Sequence, residues 1–595
     1  MPILHFSGRF KFQLAYFNNY PKNDARKKGA YDKQLNDEKL KVEFDPRLSQ
    51  DEVHERLLCD PTKYFEFEFS NVKVTRITYD DGSNTDEKEN NNNNNNNKEP
   101  IIGKSVLLKG MLVDLAPHLQ RGQLYAGEIR ITDTLIGRVS KATQSSVQKS
   151  IRIIRNEKRK NKLFHYSAYF ETELYEVFKL IDPYISEENS RFIKELNDLN
   201  FKIYFTLCKY DIITNEGEVY GYIGPALKLM TNGGLLIRNR ELLINDSIFT
   251  LEKNKDIIND FEIEAGNEST YPRATFEIYD HKSLLILRYQ EIMPFLDYNN
   301  NIPNYQCYVS LSSKKESDSN ETIVIDCSYE EIKKGGGIKV IKLSDGQILE
   351  KLNVKIKVRK SNSLSLSDLL IEPIWNIMLD KENCIKIYSN ESILIEGFIF
   401  NQNKLHLSKQ ILELEAENNN PSSPFVVWFE KEEIESDQGK FGVKIIARNL
   451  ENSGQIYDPI IEDEIEEDLP WDRYYGNGLT IKFKDVREQS TDIQLMVRVI
   501  HSFDKSKNPT LNDIEKIFSY YMRYYPWLHV RIEDCNYSQF FDFDNRDDLI
   551  GLNDSMKTRL TKLDDHDWYK MPRSRDFPQN GYDAIEKFLS NIKNK

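Results

Sequence analysis

The chain has 595 residues, 39% hydrophobic and 30% charged, a balance that is typical of a folded protein with several domains and excludes a largely disordered chain. Its net charge of −14 repels phosphate groups, which argues against nucleic acids and membrane surfaces as partners. The six cysteines are scattered, and no apolar run is long enough for a signal peptide or a membrane span, so we expect a soluble cytoplasmic protein.

We predict a first β-rich domain over residues 1–240. Within it, Tyr64–Phe69 alternates aromatic and acidic side chains with a period of two, which is typical of a half-buried strand. A polar insert at about 82–99 follows and contains eight consecutive asparagines, Asn90–Asn97. The insert offers no apolar side chain to bury, so we predict a disordered loop, and the sequence leaves any further role of the asparagines open.

A basic segment, Lys149–Lys162, lies in the same predicted domain and carries seven lysines and arginines. Polyanion-binding patches, nuclear localisation signals and solvated connecting segments all share this composition. The negative net charge of the whole chain favours the connecting segment.

We predict a second β-rich domain over residues 241–425. Here Ile338–Leu343 and Leu352–Val358 flank a Ser-Asp-Gly turn, and this pattern predicts a hairpin. The preceding triplet Gly335–Gly337 is interpreted as a turn between strands. It does not resemble a phosphate-binding loop, because no helix is expected to follow it.

A third, β-sandwich-like domain is predicted over residues 426–505. Short strands at regular spacing lead into it from the second domain, as is typical of sandwiches and barrels. The predicted strands are Ile385–Tyr388, Ile393–Phe400, Leu405–Leu407, Phe425–Phe429, Val443–Ala447, Leu479–Phe483 and Ile493–Ile500.

The last predicted region, residues 506–595, is helical. Apolar residues recur at helical spacing from Leu511 to Tyr525, and Met556–Leu563 and Tyr582–Ile592 read as two shorter helices. The aromatic stripe of the first helix either packs on a sheet or lines a flat ligand. The predicted fold class is therefore mainly β with a helical C-terminal segment (α+β), with two or more β-sandwich or barrel-like domains.

The residues that carry chemistry form no recognisable catalytic motif in the sequence. We find no nucleophile elbow, P-loop, dinucleotide fingerprint or Glu-x-x-His pair. Two acidic clusters, Glu462–Asp468 and Asp564–Asp567, are interpreted as solvated loops, although carboxylates and imidazole are metal ligands. His165 and His529 each lie beside aromatic residues, where a haem or metal ligand and a buried structural histidine are alternative interpretations.

Several short segments resemble one protein family in the same order along the chain. Gln123–Glu128, Leu163–His165 and Tyr220–Gly224 are similar to segments in the N-terminal, non-ferritin portion of iminophenylpyruvate dimer synthases, the chromopyrrolate synthase family of the violacein-pathway type. The opening Met1–Phe10 and the late segment Lys570–Arg575 resemble segments of the same enzymes. The resemblance spans nearly the whole chain, as short anchors with diverged sequence between them.

This resemblance implies a place in secondary metabolism. In that family a ferritin-like domain supplies non-haem iron for coupling two imines from tryptophan-derived precursors, and we expect this chain to lack that domain. Members of the chromopyrrolate-synthase type are associated with haem and peroxide removal, so haem is the cofactor that the resemblance implies. His165 is the candidate haem ligand, because it lies in a matching segment and imidazole is a good axial ligand.

The sequence therefore predicts a non-catalytic binding or accessory module whose partner is a small aromatic ligand or another protein. The alternative is a haem-dependent oxidoreductase, catalase-like or imine-processing, that acts alone or with an iron-carrying partner. The sequence assigns no catalytic residue and no metal ligand.

Overall fold

The protein is described here from a computed structural model, and the strands that it contains pair into four sheets. The structure describes residues 2–11, 67–86, 99–116, 121–131, 135–138, 168–179, 190–196, 201–211, 216–225, 240–245, 247–250, 255–260, 272, 274–279, 284–289, 305–313, 321–326, 328–343, 352–360, 366–379, 384–388, 390–401, 404–417, 425–449, 477–484, 490, 493–500, 508–510 and 579–593.

The first unit is a ten-stranded antiparallel sheet with one short helix, α1 (Arg191–Glu195). Its strands are β1 (Ile3–Lys11), β2 (Phe67–Phe69), β3 (Lys73–Thr78), β4 (Asn84–Asp86), β5 (Val106–Ala116), β6 (Arg121–Ile131), β7 (Leu135–Arg138), β8 (Ala168–Lys179), β9 (Phe201–Asp211) and β10 (Glu216–Pro225). Their order is β10-β9-β8-β7-β6-β5-β2-β1-β3-β4, and β10 also pairs with β1. Eight strands therefore close into a barrel-like ring, which leaves only β3 and β4 outside it.

Aromatic side chains fill this ring. Phe6, Phe67, Phe170 and Phe205 come from four different strands and are each at most 1% exposed. The rings of Phe170 and Phe205 stack with their centroids 5.2 Å apart, and Phe67 stacks on Phe205 at 6.3 Å. Alternation of apolar and polar residues along each strand supplies these rings, because side chains point to the two faces of a sheet in turn.

The second unit is an eight-stranded antiparallel sheet with order β15-β14-β17-β18-β11-β12-β13-β16. Its strands are β11 (Arg240–Ile244), β12 (Ala274–Tyr279), β13 (Leu284–Arg288), β14 (Tyr305–Ser313), β15 (Glu321–Ile325), β16 (Ile338–Lys342), β17 (Leu352–Lys360) and β18 (Ser367–Ile371). Its helices are α2 (Ser247–Thr250), α3 (Lys255–Asp260) and α4 (Tyr329–Lys334). Apolar residues of all eight strands share one core.

Two predictions for this unit were wrong. The strands β16 and β17 do not form a hairpin, because β16 pairs with β13 while β17 lies between β14 and β18. The triplet Gly335–Gly337 is not a turn between two strands, since helix α4 precedes it and strand β16 follows. Gly336 and Gly337 have φ angles of +63° and +77°, which glycine adopts without steric cost, and they end the helix.

The third unit is a sandwich of two five-stranded sheets that face each other across a shared core. One sheet contains β19 (Trp375–Leu379), β21 (Ser392–Asn401), β22 (Lys404–Leu405), β24 (Phe425–Phe429) and β26 (Lys440–Asn449). The other contains β20 (Cys384–Tyr388), β23 (Ile411–Glu417), β25 (Glu433–Glu435), β27 (Asn477–Phe483) and β28 (Ile493–Ile500). Six of the seven strands predicted between 385 and 500 are present, and the one predicted at Leu405–Leu407 is the two-residue strand β22, which ends at Leu405.

The mainly β, multi-domain fold class is confirmed. Strands from 375 to 429 pair with strands from 440 to 500, so strand pairing crosses the boundary predicted after residue 425. The division of the chain into four domains remains a prediction.

At the C-terminus, helix α5 (Gln579–Lys593) confirms the helix predicted at Tyr582–Ile592. The helices predicted over Leu511–Tyr525 and Met556–Leu563 lie outside the described residues. Among the described helices, none is both long enough and apolar enough to cross a membrane.

The polar insert is narrower than predicted. Asn84–Asp86 forms strand β4 against β3, and Glu99 is buried at 4% exposure, so both ends of the predicted loop belong to the fold of the first unit. The asparagine tract Asn90–Asn97 lies outside the described residues, as does the basic segment Lys149–Lys162.

Candidate functional site

Strand β9 places a lysine on the outside of the ring of the first unit. Ile203 and Phe205 point into the aromatic core, so Lys202 and Tyr204 lie on the opposite, outer face. This outer face is nevertheless buried, because Lys202 is only 4% exposed and Tyr204 only 2%. Tyr222 on β10 lies beside Tyr204, and their rings stack with centroids 5.5 Å apart.

The second unit covers this face with strands β12 and β13. Phe276 and Leu287 point into the core of the second unit, so their sequence neighbours Glu277 and Arg288 point towards the first unit. An apolar cluster from both units lies around them and consists of Ile3, Tyr204, Tyr222, Leu284, Ile286 and Ile338.

Four side chains from the two units meet here, and we call Lys202, Tyr222, Glu277 and Arg288 the buried charged cluster. The Lys202 ammonium donates to both carboxylate oxygens of Glu277. Arg288 Nη2 donates to Glu277 Oε1 over 2.6 Å and to the Tyr222 hydroxyl over 2.9 Å, while Nε donates to the same hydroxyl over 3.1 Å. The guanidinium carbon of Arg288 also lies 4.8 Å from the centre of the Tyr204 ring, a cation–π contact.

The buried charged cluster removes two cationic side chains and one carboxylate from water. The side chains of Lys202, Glu277 and Arg288 are 5%, 2% and 4% exposed. Desolvating such charges is expensive, so a buried ion pair adds little net stability over apolar packing of the same shape, whereas breaking one is strongly destabilising. The cluster is therefore suited to fixing how the two units meet.

Helix α4 and the glycines after it form a second set of contacts between the two units. His5 on β1 donates from Nδ1 to the carbonyl oxygen of Gly335 over 2.8 Å, and its Nε2 lies 2.8 Å from the hydroxyl oxygen of Thr78. The Thr75 hydroxyl donates to the carbonyl oxygen of Lys334 over 3.0 Å. We call this set and the buried charged cluster together the junction.

Three ion pairs between the two units surround helix α4. They join Arg76 to Glu331 at 2.6 Å, Lys333 to Glu218 at 2.7 Å, and Lys334 to Asp86. The pairs are partly exposed, so each contributes less than a buried pair does.

Burial determines the protonation state of His5. Desolvation, and to a lesser degree the nearby Arg76 guanidinium, lower the pKa of His5 to about 3, although the hydrogen bond to Gly335 acts in the opposite direction. His5 is therefore neutral at neutral pH. In this state the Nδ1 proton is donated to Gly335, while Nε2 lies 2.8 Å from the Thr78 oxygen, whose own proton is donated to Asn84 Oδ1.

The histidines that the sequence singled out lie outside the described residues. This holds for the candidate haem ligand His165 and for His529, so both remain predictions, as do the acidic clusters Glu462–Asp468 and Asp564–Asp567. In the part of the chain that the structure describes, no group of three or more His, Cys, Asp or Glu side chains is arranged to hold a metal ion.

Sequence reasoning missed the residues of the junction. Lys202 stands alone in the run Phe201–Leu207, which is otherwise apolar or aromatic apart from Thr206, and a charge in such a run is the one signal of a buried ion pair. Its partner Glu277 lies 75 residues further along the chain, so no local pattern connects the two.

The fold and the junction define a multi-domain, β-rich protein in which two units are joined through a buried charged contact. No protein-family model matches the chain, and no curated protein sequence matches it.

Several solved structures show weak similarity to this chain. "Crystal structure of the S-layer protein SbsC domains 4 and 5" aligns with 32% of this chain and 98% of its own, at 9% identity and a TM-score of 0.13. The Dpr2 Ig1-Ig2 complex with DIP-Theta aligns with 38% of this chain and 91% of its own, at 7% identity and a TM-score of 0.12. Escherichia coli alpha-2-macroglobulin activated by porcine elastase aligns with 66% of this chain and 35% of its own, at 8% identity and a TM-score of 0.14. These values are too low to assign the chain to any of those folds.

Proposed function

We propose that this protein is a non-catalytic binding or accessory module whose first and second units form one rigid scaffold. The partner is a small aromatic ligand or another protein, and the resemblance to iminophenylpyruvate dimer synthases suggests tryptophan-derived aromatic molecules as the first ligands to test. The compartment that we propose is the cytoplasm.

The observation that carries this proposal is the use of buried charge in the junction. Among the described residues, Lys202, Glu277 and Arg288 are the most deeply buried ionic groups that join the two units. They bind one another, and Arg288 also contacts Tyr222 and the ring of Tyr204. Charges buried in this way orient packed elements at little net gain in stability. A fixed orientation of two units suits a scaffold, because binding surfaces on rigid elements lose less entropy when a partner binds.

The experiment begins with the full chain purified from haem-supplemented cells. We expect no stoichiometric Soret band and no haem on extraction, together with saturable binding of tryptophan or indole-3-pyruvate in isothermal titration calorimetry or of a protein partner supplied in pure form. A stoichiometric Soret band with peroxide turnover would overturn the proposal in favour of the haem-dependent oxidoreductase. A shift of that band in His165→Ala would then identify the ligand.

Rigidity is tested separately with a matched pair of variants. Glu277→Gln removes the shared carboxylate of the buried charged cluster, whereas Glu430→Gln removes a carboxylate whose ion pair with Lys444 is about half exposed. We expect the first two units of the wild-type protein to lose amide protection together, and Glu277→Gln alone to make them exchange independently. Independent exchange of the two units in the wild-type protein would contradict a rigid scaffold.

A further inference from the structure

We propose that the junction is released by acid, because the imidazole of His5 is buried in the contact between the two units and bonds across it to Gly335. This inference rests on the proposed scaffold, since it describes how the attachment of its two units is regulated. It predicts that the units remain docked at neutral pH and separate more often as the pH falls below the pKa of an ordinary histidine.

The geometry places His5 at the centre of the contact. The ring bonds across the junction to Gly335 through Nδ1 and within the first unit to Thr78 through Nε2, both at 2.8 Å. The whole residue is 2% exposed. Gly336 packs directly on Gly221 of β10, next to Gly335, which binds His5. Separating the units therefore exposes the imidazole to water.

The charged and titratable groups around His5 come from four elements. They are Arg76 on β3, Tyr222 on β10, Glu331 and Lys334 on α4, and Asp86 on β4. Glu331 is engaged by Arg76 and Asp86 by Lys334, so neither carboxylate is placed to stabilise an imidazolium. Arg76 lies opposite His5 on the neighbouring strand, and its positive charge disfavours protonation of the ring.

Hydrogen bonding is not what excludes the second proton. A protonated ring would donate from Nε2 to the Thr78 oxygen, whose own proton is already donated to Asn84 Oδ1 over 2.5 Å. The exclusion therefore comes from burial and from Arg76. The burial is lost when the second unit moves away, because water then solvates the ring, whereas Arg76 belongs to the first unit and stays beside His5.

The expected size of the effect follows from proton linkage. Arg76 stays beside the ring, so the ordinary histidine pKa of 6.5 is the upper limit for the separated state, whereas the docked state holds the pKa of His5 at about 3. The docking constant is then fully present above pH 6.5 and falls about tenfold for each pH unit below it, until the pH reaches the docked value. At pH 5 docking is weaker by up to about 30-fold than at neutral pH.

The experiment is hydrogen exchange of the full chain between pH 7 and 5, with each rate corrected for intrinsic exchange. Carboxylates ordinarily titrate near pH 4, so this range isolates imidazole. We expect the amides of β1, β10 and residues 335–338 to lose protection by about tenfold per pH unit below 6.5. His5→Asn keeps a donor in the place of Nδ1 and should abolish this slope.

The matched control is His406→Asn. His406 is half-buried in the third unit and contacts Trp375, so this variant should keep the wild-type slope. The same slope in His5→Asn, or no slope in the wild-type protein, would overturn the proposal. If His5→Asn fails to fold, NMR titration of the wild-type His5 ring decides, because a ring that titrates near 6.5 in the docked protein contradicts it. A haem band would overturn the proposed function and leave this slope unchanged.

Discussion

Gly336 of the second unit lies so close to Gly221 of the first that a Cβ on Gly336 would stand 2.2 Å from the Gly221 carbonyl oxygen. Two backbones therefore meet without side chains between them. This approach lets the end of helix α4 reach His5. Position 336 requires glycine for a second reason as well, because its φ of +63° lies in the left-handed region.

The first prediction concerns Gly336→Ala. The methyl group meets backbone atoms that belong to the other unit, and alanine at this φ costs about 1–2 kcal/mol on its own, so we expect a total loss of roughly 3 kcal/mol. Urea unfolding monitored by circular dichroism measures it.

Gly103→Ala is the control for Gly336→Ala. Gly103 also has a positive φ, +83°, but nothing lies within 4 Å of its ideal Cβ. We expect it to lose only the conformational cost, about 1–2 kcal/mol. Equal losses in the two variants would show that the approach to Gly221 is not a constraint.

The second prediction ranks two substitutions in the buried charged cluster. Glu277→Gln leaves the Lys202 and Arg288 cations buried beside a neutral amide, so we expect a loss of about 3–5 kcal/mol in the free energy of unfolding. Lys202→Met leaves Glu277 paired with Arg288 and replaces a buried ammonium by an apolar chain of similar length. We expect this change to cost about 1 kcal/mol or less.

Chemical denaturation of both variants tests this ranking, with Glu430→Gln as the exposed control. The Lys444–Glu430 pair is 43% and 46% exposed, so its loss should change stability by no more than about 0.5 kcal/mol. If Lys202→Met lost more free energy of unfolding than Glu277→Gln, the prediction that an unpaired buried cation is the costlier change would be wrong.

Periodicity in the sequence was enough to predict the strands, but it did not predict how they pair. Phe425–Phe429 and Ile493–Ile500 were placed with the bounds that the structure has, because apolar alternation is a local property. The prediction of a hairpin between β16 and β17 was wrong because turn residues give no information about strands elsewhere in the chain that can pair with β16. Strand β13 takes the place beside β16, and pairing between strands far apart in sequence leaves no local signal.

Helix α4 was missed although a local signal was present. Ser328 and Glu331 have the spacing of a capping box, and the Ser328 side chain accepts from the Glu331 amide. The helix has only six residues, so its apolar periodicity is too short to recognise. Once the helix is known, Gly335–Gly337 reads as its C-terminal end, the position where glycine is most common.

The third prediction concerns the carboxyl of Asp81. Hydrogen bonds from the Ser83 hydroxyl and then from the Ser83 backbone lower the pKa of Asp81 to about 2. A lowered carboxyl pKa stabilises the folded state above the unfolded value of 3.8 and loses that contribution as the pH falls through 2. The side chain is 58% exposed, so solvent screening keeps the contribution below about 1 kcal/mol.

Carbon-13 NMR titration of the full chain measures this pKa. Ser83→Ala removes the hydroxyl and keeps the backbone donor, so we expect the pKa of Asp81 to rise part of the way towards 3.8. An unchanged pKa in this variant would mean that the hydroxyl is not the main cause.

The last prediction uses the same substitution at two tyrosines. Tyr79 is 2% exposed and donates to Oε2 of the buried Glu99 over 2.9 Å, while Tyr308 donates over 2.6 Å to the neutral amide oxygen of Gln306. A hydrogen bond to a charged acceptor is worth about 1.5–3 kcal/mol, against about 1 kcal/mol for a neutral one. Tyr79→Phe should therefore destabilise the protein by about twice as much as Tyr308→Phe.

Glu99 explains why the difference should be large. Its carboxylate also accepts from the Ser190 hydroxyl over 2.5 Å and from the Phe192 amide over 3.1 Å. Glu99 therefore connects the start of helix α1 to Tyr79, the residue that follows strand β3. Losing the Tyr79 donor leaves a buried carboxylate one hydrogen bond short, which costs more than losing a bond to a neutral amide. Thermal and urea unfolding of the two variants give the comparison, and equal losses would show that the Glu99 charge does not strengthen its bond to Tyr79.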